Sequence, residues 1–246
     1  MTRLPGWVLV GWLLGCAPEA EALPSVVSDP EEVVRGRADL GRAPAVVAIT
    51  TDDGMLCSGV LISPREVLTA RHCVSVTPPL LWCDGRQREV LRERAEASLH
   101  VWLGDDVESA AEGPWVTWIR TPREPRVCGQ DFAVLELAWA VEVPPVGLSD
   151  RGPRPGDSLV VVGFGRRGDG ARAGVGRRFR RTVRVRSVDA TEFEVGEGSC
   201  QGDSGGPALD PRTGRVVGIL SRGGERCTGP SAAGIFGRVD AQREVF

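Results

Sequence analysis

The 246-residue chain contains no lysine and no tyrosine, so all 30 of its basic residues are arginines. We interpret this bias as a property of the genome rather than of the function. With 33 acidic residues the formal net charge is −3, which gives no argument for a nucleic-acid partner. The chain also has only two histidines, so any histidine chemistry must use His72 or His100.

The apolar run near the N-terminus is too short to span a bilayer. Residue Arg3 and the apolar residues 7–14 have the pattern of a targeting signal, which we predict over residues 1–15. The run ends in Leu-Leu-Gly-Cys at 13–16, which resembles a bacterial lipobox. This resemblance implies cleavage before Cys16, acylation of that cysteine and a membrane anchor. The alternative is an ordinary secretory signal with an incidental cysteine.

Residues 16–32 are acidic, contain prolines and have no periodicity, so we predict a lipid-anchored flexible tether or a propeptide. The rest of the chain shows many short apolar strands between Gly, Pro and Asp turns, with little helical periodicity. This pattern predicts an all-β fold. The candidate strands are Val46–Thr50, Leu56–Ile62, Leu99–Leu103, Val116–Ile119, Leu159–Gly163, Thr182–Val188 and Phe193–Val195.

Three motifs supply one histidine, one aspartate and one serine, in that order along the chain. A serine hydroxyl is a weak nucleophile unless a base takes its proton and a buried carboxylate orients the base. The motifs are Thr-Ala-Arg-His-Cys at 69–73, Asp-Phe-Ala-Val-Leu at 131–135 and Gly-Asp-Ser-Gly-Gly-Pro at 202–207.

With these motifs the chain resembles the trypsin/chymotrypsin-like serine proteases from about residue 33 to near its C-terminus. The resemblance implies a protease domain over 33–246, which hydrolyses peptide bonds of a protein or peptide substrate. It also implies two antiparallel β-barrels, at about 33–145 and 146–246, with the active site in the cleft between them. A short C-terminal helix is expected.

The resemblance assigns roles to individual residues. Ser204 attacks the scissile carbonyl, His72 accepts and returns the proton, and Asp131 orients His72. The backbone N–H groups of Gly202 and Ser204 form the oxyanion hole. Ser221 matches the serine that supports the triad aspartate.

In the family, the residue six before the nucleophile forms the base of the substrate pocket. Here that residue is Gly198, where trypsin-like members carry aspartate, and Gly223 and Gly234 match the pocket walls. Three glycines imply a neutral pocket for large apolar or aromatic side chains. The alternative is that Glu197 or Glu225 restores a preference for basic residues.

The segment Val-Val-Arg-Gly at 33–36 resembles the mature N-terminus of the family, whose members are commonly zymogens. The resemblance implies cleavage between Glu32 and Val33, which frees an amine that pairs with Asp203. The alternative is that Val33 merely begins the first strand.

Seven cysteines are an odd number for an exported protein, and lipidation of one leaves six. An export compartment permits disulfides. The resemblance implies the pairs Cys57–Cys73 and Cys200–Cys227, and the two cysteines left, Cys83 and Cys128, then pair by elimination.

Three further segments carry weaker signals. The acidic segment 104–112 resembles a place where some family members bind calcium, but an acidic surface turn is favoured, so no metal or cofactor is expected. The segment 166–186 holds nine arginines, and we prefer a solvated basic loop to a site for an acidic substrate or membrane phosphates. The mixed charges of the run 86–96 are compatible with a short surface helix, but a solvated surface decoration is favoured.

The leading interpretation is an exported serine endopeptidase of a bacterial cell envelope, lipid-anchored or secreted. A catalytically impaired homologue that serves as a surface binding module is the first alternative, because Arg35 and Arg222 replace the usual glycine and tryptophan. An esterase is the second, although the triad order differs from that of the α/β-hydrolases.

Overall fold

The computed structural model describes residues 1–2 and 36–242, apart from positions 80, 82, 86, 171–173 and 225. Contacts divide the chain into two units, Met1–Pro30 and Glu31–Phe246, and nearly all described residues belong to the second. Residues 3–15 of the predicted signal, the lipidation site Cys16 and the cleavage site at Glu32 and Val33 lie outside the described residues. No helix in the described part is long and apolar enough to cross a membrane.

The described part of the second unit consists mainly of short strands. In chain order the elements are β1 (Arg37–Ala38), β2 (Val46–Thr51), β3 (Leu56–Ser63), β4 (Glu66–Thr69), α1 (Arg71–Val74), β5 (Ser75–Val76), β6 (Arg92–Glu93), a 3₁₀ turn (Glu96–Ser98), β7 (Leu99–Leu103), β8 (Ala111–Glu112), β9 (Val116–Arg120), β10 (Ala133–Leu137), β11 (Ser158–Gly163), β12 (Phe179–Val188), β13 (Glu192–Val195), β14 (Pro207–Leu209), β15 (Val216–Gly223), β16 (Gly234–Arg238) and a 3₁₀ turn (Val239–Ala241).

The described residues form two large sheets, each with seven antiparallel strands. The first has the order β8-β7-β2-β3-β4-β10-β9 and curls into a half-barrel. The second has the order β1-β12-β11-β14-β15-β16-β13, and an additional pairing of β12 with β13 closes six of its strands into a barrel. The predicted all-β, two-barrel fold is confirmed. Of the predicted C-terminal helix, the described residues show only the 3₁₀ turn Val239–Ala241.

Strand β11 has a continuous apolar run rather than an alternating one, and its position between two cores is the reason. Its residues Val160 and Val162 belong to the core shared with the first sheet, whereas Leu159 and Val161 fill the interior of the second barrel. Successive side chains of a strand point to opposite faces, so a strand between two cores needs apolar residues at every position. This strand therefore joins the two barrels.

The short surface helix considered for residues 86–96 is not present among the described residues of that run. Within that run the structure has strand β6, which pairs with β5, and the start of a 3₁₀ turn. The side chain of Glu89 is buried and accepts the backbone N–H groups of Val127 and Cys128 at 2.7 and 2.8 Å. These tertiary hydrogen bonds hold the segment extended against a distant loop, so a mixed-charge pattern that suits a helix is overruled.

The first residues of the protease domain lie in the second sheet, although they belong to the first half of the sequence. Strand β1 pairs Arg37 with Arg180 and Ala38 with Phe179 on β12. From residue 37 onward, the described chain therefore begins on the second barrel and then crosses to the first. The proposed boundary near residue 145 does not separate the barrels at this end.

A buried ion pair fixes that crossing. The side chains of Asp39 and Arg178 are 0% and 1% exposed, and Arg178 Nε donates to Asp39 Oδ2 at 3.0 Å. Arg178 also donates to the carbonyl oxygens of Val46 and Gly104, each at 2.9 Å, and contacts the carboxylate of Asp105. One guanidinium thus joins the start of the domain, the first sheet and the segment that leads into β12.

We predict that Arg178→Ala lowers the free energy of unfolding by about 3–5 kcal/mol, because it leaves the buried Asp39 carboxylate with only the longer contact to Arg180, at 3.6 Å. Urea unfolding followed by tryptophan fluorescence measures the effect. The matched control is Arg177→Ala, which removes the neighbouring pair of Arg177 with Asp106, in which the arginine is 65% exposed. Equal losses in the two variants would contradict the prediction.

Candidate active site

The loop that carries Ser204 lies between β13 and β14 and is held by β3 of the other sheet. The backbone N–H of Ser58 donates to the carbonyl oxygen of Ser204 at 2.7 Å. The hydroxyl of Ser58 donates to the carbonyl oxygen of Gly202 at 2.9 Å and accepts the N–H of Phe164 at 3.0 Å. A single buried residue of the first sheet therefore fixes the position of the loop relative to that sheet.

Glycine is required where this loop meets the first sheet. Gly205 has a φ of +79°, and a Cβ there would lie 2.1 Å from Thr69 Oγ1 and 2.3 Å from the carbonyl oxygen of Ser58. At Gly206 a Cβ would lie 2.5 Å from the carbonyl oxygen of Val162. The two glycines after Ser204 thus allow a close approach of backbone to backbone that any side chain would prevent.

His72 is presented by the single helical turn α1, which follows β4 directly. A disulfide between Cys57 on β3 and Cys73 ties this turn to the sheet. The backbone N–H of His72 donates to Asp131 Oδ1 at 2.9 Å, and its Nδ1 lies 2.7 Å from Oδ2 of the same carboxylate. Because the carboxylate accepts a hydrogen bond from Nδ1–H, it favours the tautomer in which Nε2 carries no proton and is the acceptor.

Asp131, at the start of the segment that becomes β10, is fully buried. The hydroxyl of Ser221 on β15 donates to its Oδ2 at 2.6 Å. Burial disfavours the imidazolium and lowers the pKa of His72, but the charge of Asp131 and its hydrogen bond together outweigh burial. The pKa of His72 is therefore raised above its ordinary value of 6.5.

The Ser204 hydroxyl has no hydrogen-bond partner among the described residues and faces a cavity next to the loop. The backbone N–H groups of Gly202 and Ser204 also donate to no described residue, whereas that of Asp203 donates to Cys200 at 3.0 Å. Gly202 has a φ of +98°, and a Cβ there would lie 2.8 Å from Gly165 Cα. The loop conformation thus leaves two neighbouring donors available.

Asp203 is buried behind the loop. Its Oδ1 accepts the N–H of Gly165 at 2.7 Å and its Oδ2 accepts that of Cys200 at 2.9 Å. Burial raises the pKa of Asp203 to about 6, although these two hydrogen bonds lower it. A small cavity of about 20 Å³ lies beside the carboxylate and is also lined by Gly36, the first described residue of the domain.

A second cavity, of about 100 Å³, opens beside Ser204. Of the three glycines predicted to form the substrate pocket, Gly223 lines this cavity. Gly198 lines the cavity at Asp203 instead, and a Cβ on Gly234 would lie 2.8 Å from Ser199 Oγ. Glu197 binds the N–H of Gly229 and the guanidinium of Arg181 and does not line the cavity, and Glu225 is outside the described residues.

The described cysteines form three disulfides, and these are the pairs that the resemblance and elimination indicate. The third bridge ties the segment that follows α1 and β5 to the loop before Asp131. Its neighbour Glu89 binds the same loop, so the segment is fixed at two points. The pairs are Cys57–Cys73, Cys83–Cys128 and Cys200–Cys227.

The acidic segment considered for calcium uses its carboxylates for cationic side chains. Asp105 contacts Arg178, Asp106 accepts from Arg177 Nε at 2.7 Å, and Glu112 lies 2.7 Å from Nδ1 of His100. The arginine-rich segment is likewise paired in part, since two of its arginines are these partners. In the described part, one trio lies close enough to ligate a metal ion, namely Cys57, Cys73 and His72, and the disulfide uses both sulfurs.

Two features of the site were missed in the sequence. Ser58 gives no signal, because a hydroxyl within an apolar strand resembles any other strand residue. Arg222 stands out as a departure from the family pattern, but its partner does not. Its two terminal nitrogens donate to the two carboxylate oxygens of Glu192 on β13, at 2.5 and 2.7 Å. These residues are 30 positions apart, and only the sheet brings them together.

Comparison with known proteins agrees with this geometry. The chain is 28% identical over 223 residues to a protein named "Trypsin" from Saccharopolyspora erythraea, covering 82% of this chain and 91% of that protein. It is 26% identical over 259 residues to "Trypsin iota" of Drosophila melanogaster, covering 94% and 91%. The solved structure of mouse neuropsin, a serine protease expressed in the limbic system of the brain, has the same fold. Its TM-score is 0.66 at 21% identity, with coverage of 83% of this chain and 94% of neuropsin. Because the family model described as Trypsin matches residues 33–245, the chain belongs to the trypsin family of serine endopeptidases.

Proposed function

We propose that this chain is a catalytically competent, exported serine endopeptidase that works through an acyl-enzyme at Ser204. The observation that carries the proposal is the double attachment of His72 to Asp131, through the backbone N–H and through Nδ1. This arrangement stands beside a serine loop with two unused N–H donors. Together they supply the base, its orienting carboxylate and the groups that stabilise a developing oxyanion.

In the proposed reaction, Ser204 Oγ attacks the carbonyl carbon of the scissile peptide bond while His72 Nε2 takes the hydroxyl proton. The N–H groups of Gly202 and Ser204 donate to the oxygen of the tetrahedral intermediate. The C–N bond then breaks, and Nε2 gives the proton to the leaving amine. Water attacks the ester by the same route and restores the serine.

We propose activation by cleavage between Glu32 and Val33. The buried carboxylate of Asp203 supports this, because it has no cationic partner among the described residues and its pKa is raised to about 6. Gly36 lines the same cavity, and three residues separate it from the free amine that cleavage would create. Three extended residues reach about 10 Å, which is sufficient for the amine to fold back into a cavity beside Gly36.

We also propose export to a bacterial cell envelope with an anchor at a lipidated Cys16. Support comes from the three disulfides, which need an oxidising compartment, and from the lipobox-like sequence at 13–16. The seventh cysteine is left without a partner by those bridges. A lipidated Cys16 accounts for it.

The proposed substrates are proteins or peptides cut after residues other than lysine or arginine. None of the described residues that line the cavity beside Ser204 is acidic. Gly198 stands where trypsin-like members carry aspartate. A buried positive charge in the substrate would therefore lack the carboxylate that it needs.

We predict that a chain that begins at Val33 cleaves a diverse peptide library and that the full-length chain cleaves it at least about tenfold more slowly. Asp203→Asn should abolish the gain, because the amine then has no charged partner. The kcat/KM values of these three forms and of one control measure the gain from cleavage. A matched control keeps one extra methionine before Val33, which shifts the amine by about 3.5 Å.

Ser204→Ala in the chain that begins at Val33 identifies cleavage by contaminants. If this variant loses cleavage while the unmodified chain that begins at Val33 retains it, the result supports the proposed triad. Folded protein with all three disulfides but no cleavage, and no reaction with a serine-directed phosphonate, would favour the binding-module alternative. Turnover of short esters without peptides would favour an esterase.

We predict that kcat/KM falls as the pH drops through a value above 6.5. The base must be neutral, and the pKa of His72 is raised, so protonation removes the base at a higher pH than for a free histidine. Asp131→Asn should lower the rate by about 10⁴-fold and move any residual acid limb to lower pH. A pH profile with its acid limb below 6 in the unmodified enzyme would contradict the assignment.

A further inference from the structure

We propose that the cavity beside Ser204 selects an acidic side chain, aspartate or glutamate, at the residue before the cleaved bond, with Arg226 as the residue that binds its carboxylate. This inference rests on the proposed endopeptidase function and specifies its substrate class.

The first observation is the charge of the cavity lining. Two arginines, Arg222 and Arg226, line it together with Ser204, and no described lining residue carries a carboxylate. The counter-ions of both arginines, Glu192 and Asp169, lie outside the lining. A substrate carboxylate that enters the cavity therefore meets positive groups first.

The second observation is the way in which Arg226 is held. Only its Nε contacts Asp169, at 3.4 Å from Oδ2, and its two terminal nitrogens bond to no described residue. Asp169 itself is fixed by the hydroxyl of Thr228 at 2.6 Å and the N–H of Cys227 at 2.8 Å. The guanidinium is thus oriented from one edge while its two terminal N–H₂ groups stay available. Those groups have the geometry that binds a carboxylate through two hydrogen bonds.

The third observation concerns Arg222, which stands at the family's usual tryptophan. Its bidentate bond to Glu192 fixes the guanidinium, and its side chain is only 28% exposed. The wall of the cavity is therefore polar and positively charged instead of aromatic. Both terminal nitrogens of Arg222 bind Glu192, so Arg222 forms part of the cavity wall and adds positive charge there. The direct hydrogen bonds to the substrate carboxylate then come from Arg226.

The fourth observation is size. At about 100 Å³ the cavity is smaller than the cavity of about 150 Å³ that holds benzene in an engineered protein interior. A short acidic side chain suits this volume better than an aromatic ring does. The hydroxyl of Ser199, which has no hydrogen-bond partner among the described residues, lines the cavity and adds one neutral donor.

The test uses peptides that differ only at the residue before the cleaved bond, which is Glu, Gln, Phe or Arg. The comparison of Glu with Gln isolates charge at nearly constant shape. We expect kcat/KM for Glu to exceed that for Gln by about 10- to 100-fold, the range that a hydrogen bond to a charged group supports. Because Arg226 is 66% exposed, the ratio should decrease with added salt.

Three variants locate the effect. Arg226→Gln should bring the Glu-to-Gln ratio close to one, because the charge contact with the substrate carboxylate is lost. Arg226→Glu should reverse the order of the Glu and Arg peptides. The matched control is Arg212→Gln, which removes another exposed arginine whose Nε lies near a carboxylate, Asp210, at 3.5 Å. Arg212 lines a different cavity, so the ratio should be unchanged.

Equal turnover of the Glu and Gln peptides, or a preference for Phe, overturns the selection of acidic residues while the endopeptidase function stands. If no peptide is cut, phosphonates with the same four side chains test the preference of the cavity through their rates of labelling Ser204. Faster labelling by the Glu reagent than by the Gln reagent supports the proposal, and equal rates overturn it. If the protein shows no cleavage and no labelling, the proposed function and this inference are both overturned.

Discussion

The contact between the loop of one barrel and strand β3 of the other is the constraint on which the site depends. Ser58 binds two carbonyl oxygens of the loop, and the glycines after Ser204 allow the backbones to meet. His72 follows the strand next to β3, so the same contact places the histidine and the serine at one junction. A shift of about 1 Å there would displace Ser204 relative to His72, which would be costly for the proposed catalysis.

Arginine–carboxylate pairs perform most of the charged structural work in this lysine-free chain. Arg178 joins the start of the domain to both barrels through Asp39, and Arg222 joins β15 to β13 through Glu192. The planar guanidinium suits such places, because it binds a carboxylate through two nitrogens and is more weakly hydrated than an ammonium group. The pairing also explains why the acidic segment near Asp105 does not present a cluster of unused carboxylates.

The buried carboxylates of Asp131 and Asp203 differ in their hydrogen-bond partners. His72, Asp131 and Ser221 form a closed set of hydrogen bonds in which each donor has an acceptor. Asp203 instead has a buried carboxylate with two backbone donors and no cation in the described part of the chain. Burial raises its pKa to about 6, although the two hydrogen bonds lower it. A buried carboxylate of this kind is stabilised by a cation.

The sequence by itself determined the class of fold and most of the strands, and it singled out His72, Asp131 and Ser204 as the proposed triad. It did so because local patterns decide strands, and because a nucleophile loop next to a strand must carry glycines at fixed positions. At residues 86–96, where the sequence left a short helix open as an alternative, the buried carboxylate of Glu89 and the pairing of β6 hold the described chain extended. The tertiary structure alone decided that Ser58 holds the loop, that Glu192 binds Arg222 and that Arg226 faces the cavity beside Ser204. These contacts join residues far apart in the chain, and no local pattern encodes which distant partner a buried polar group will find.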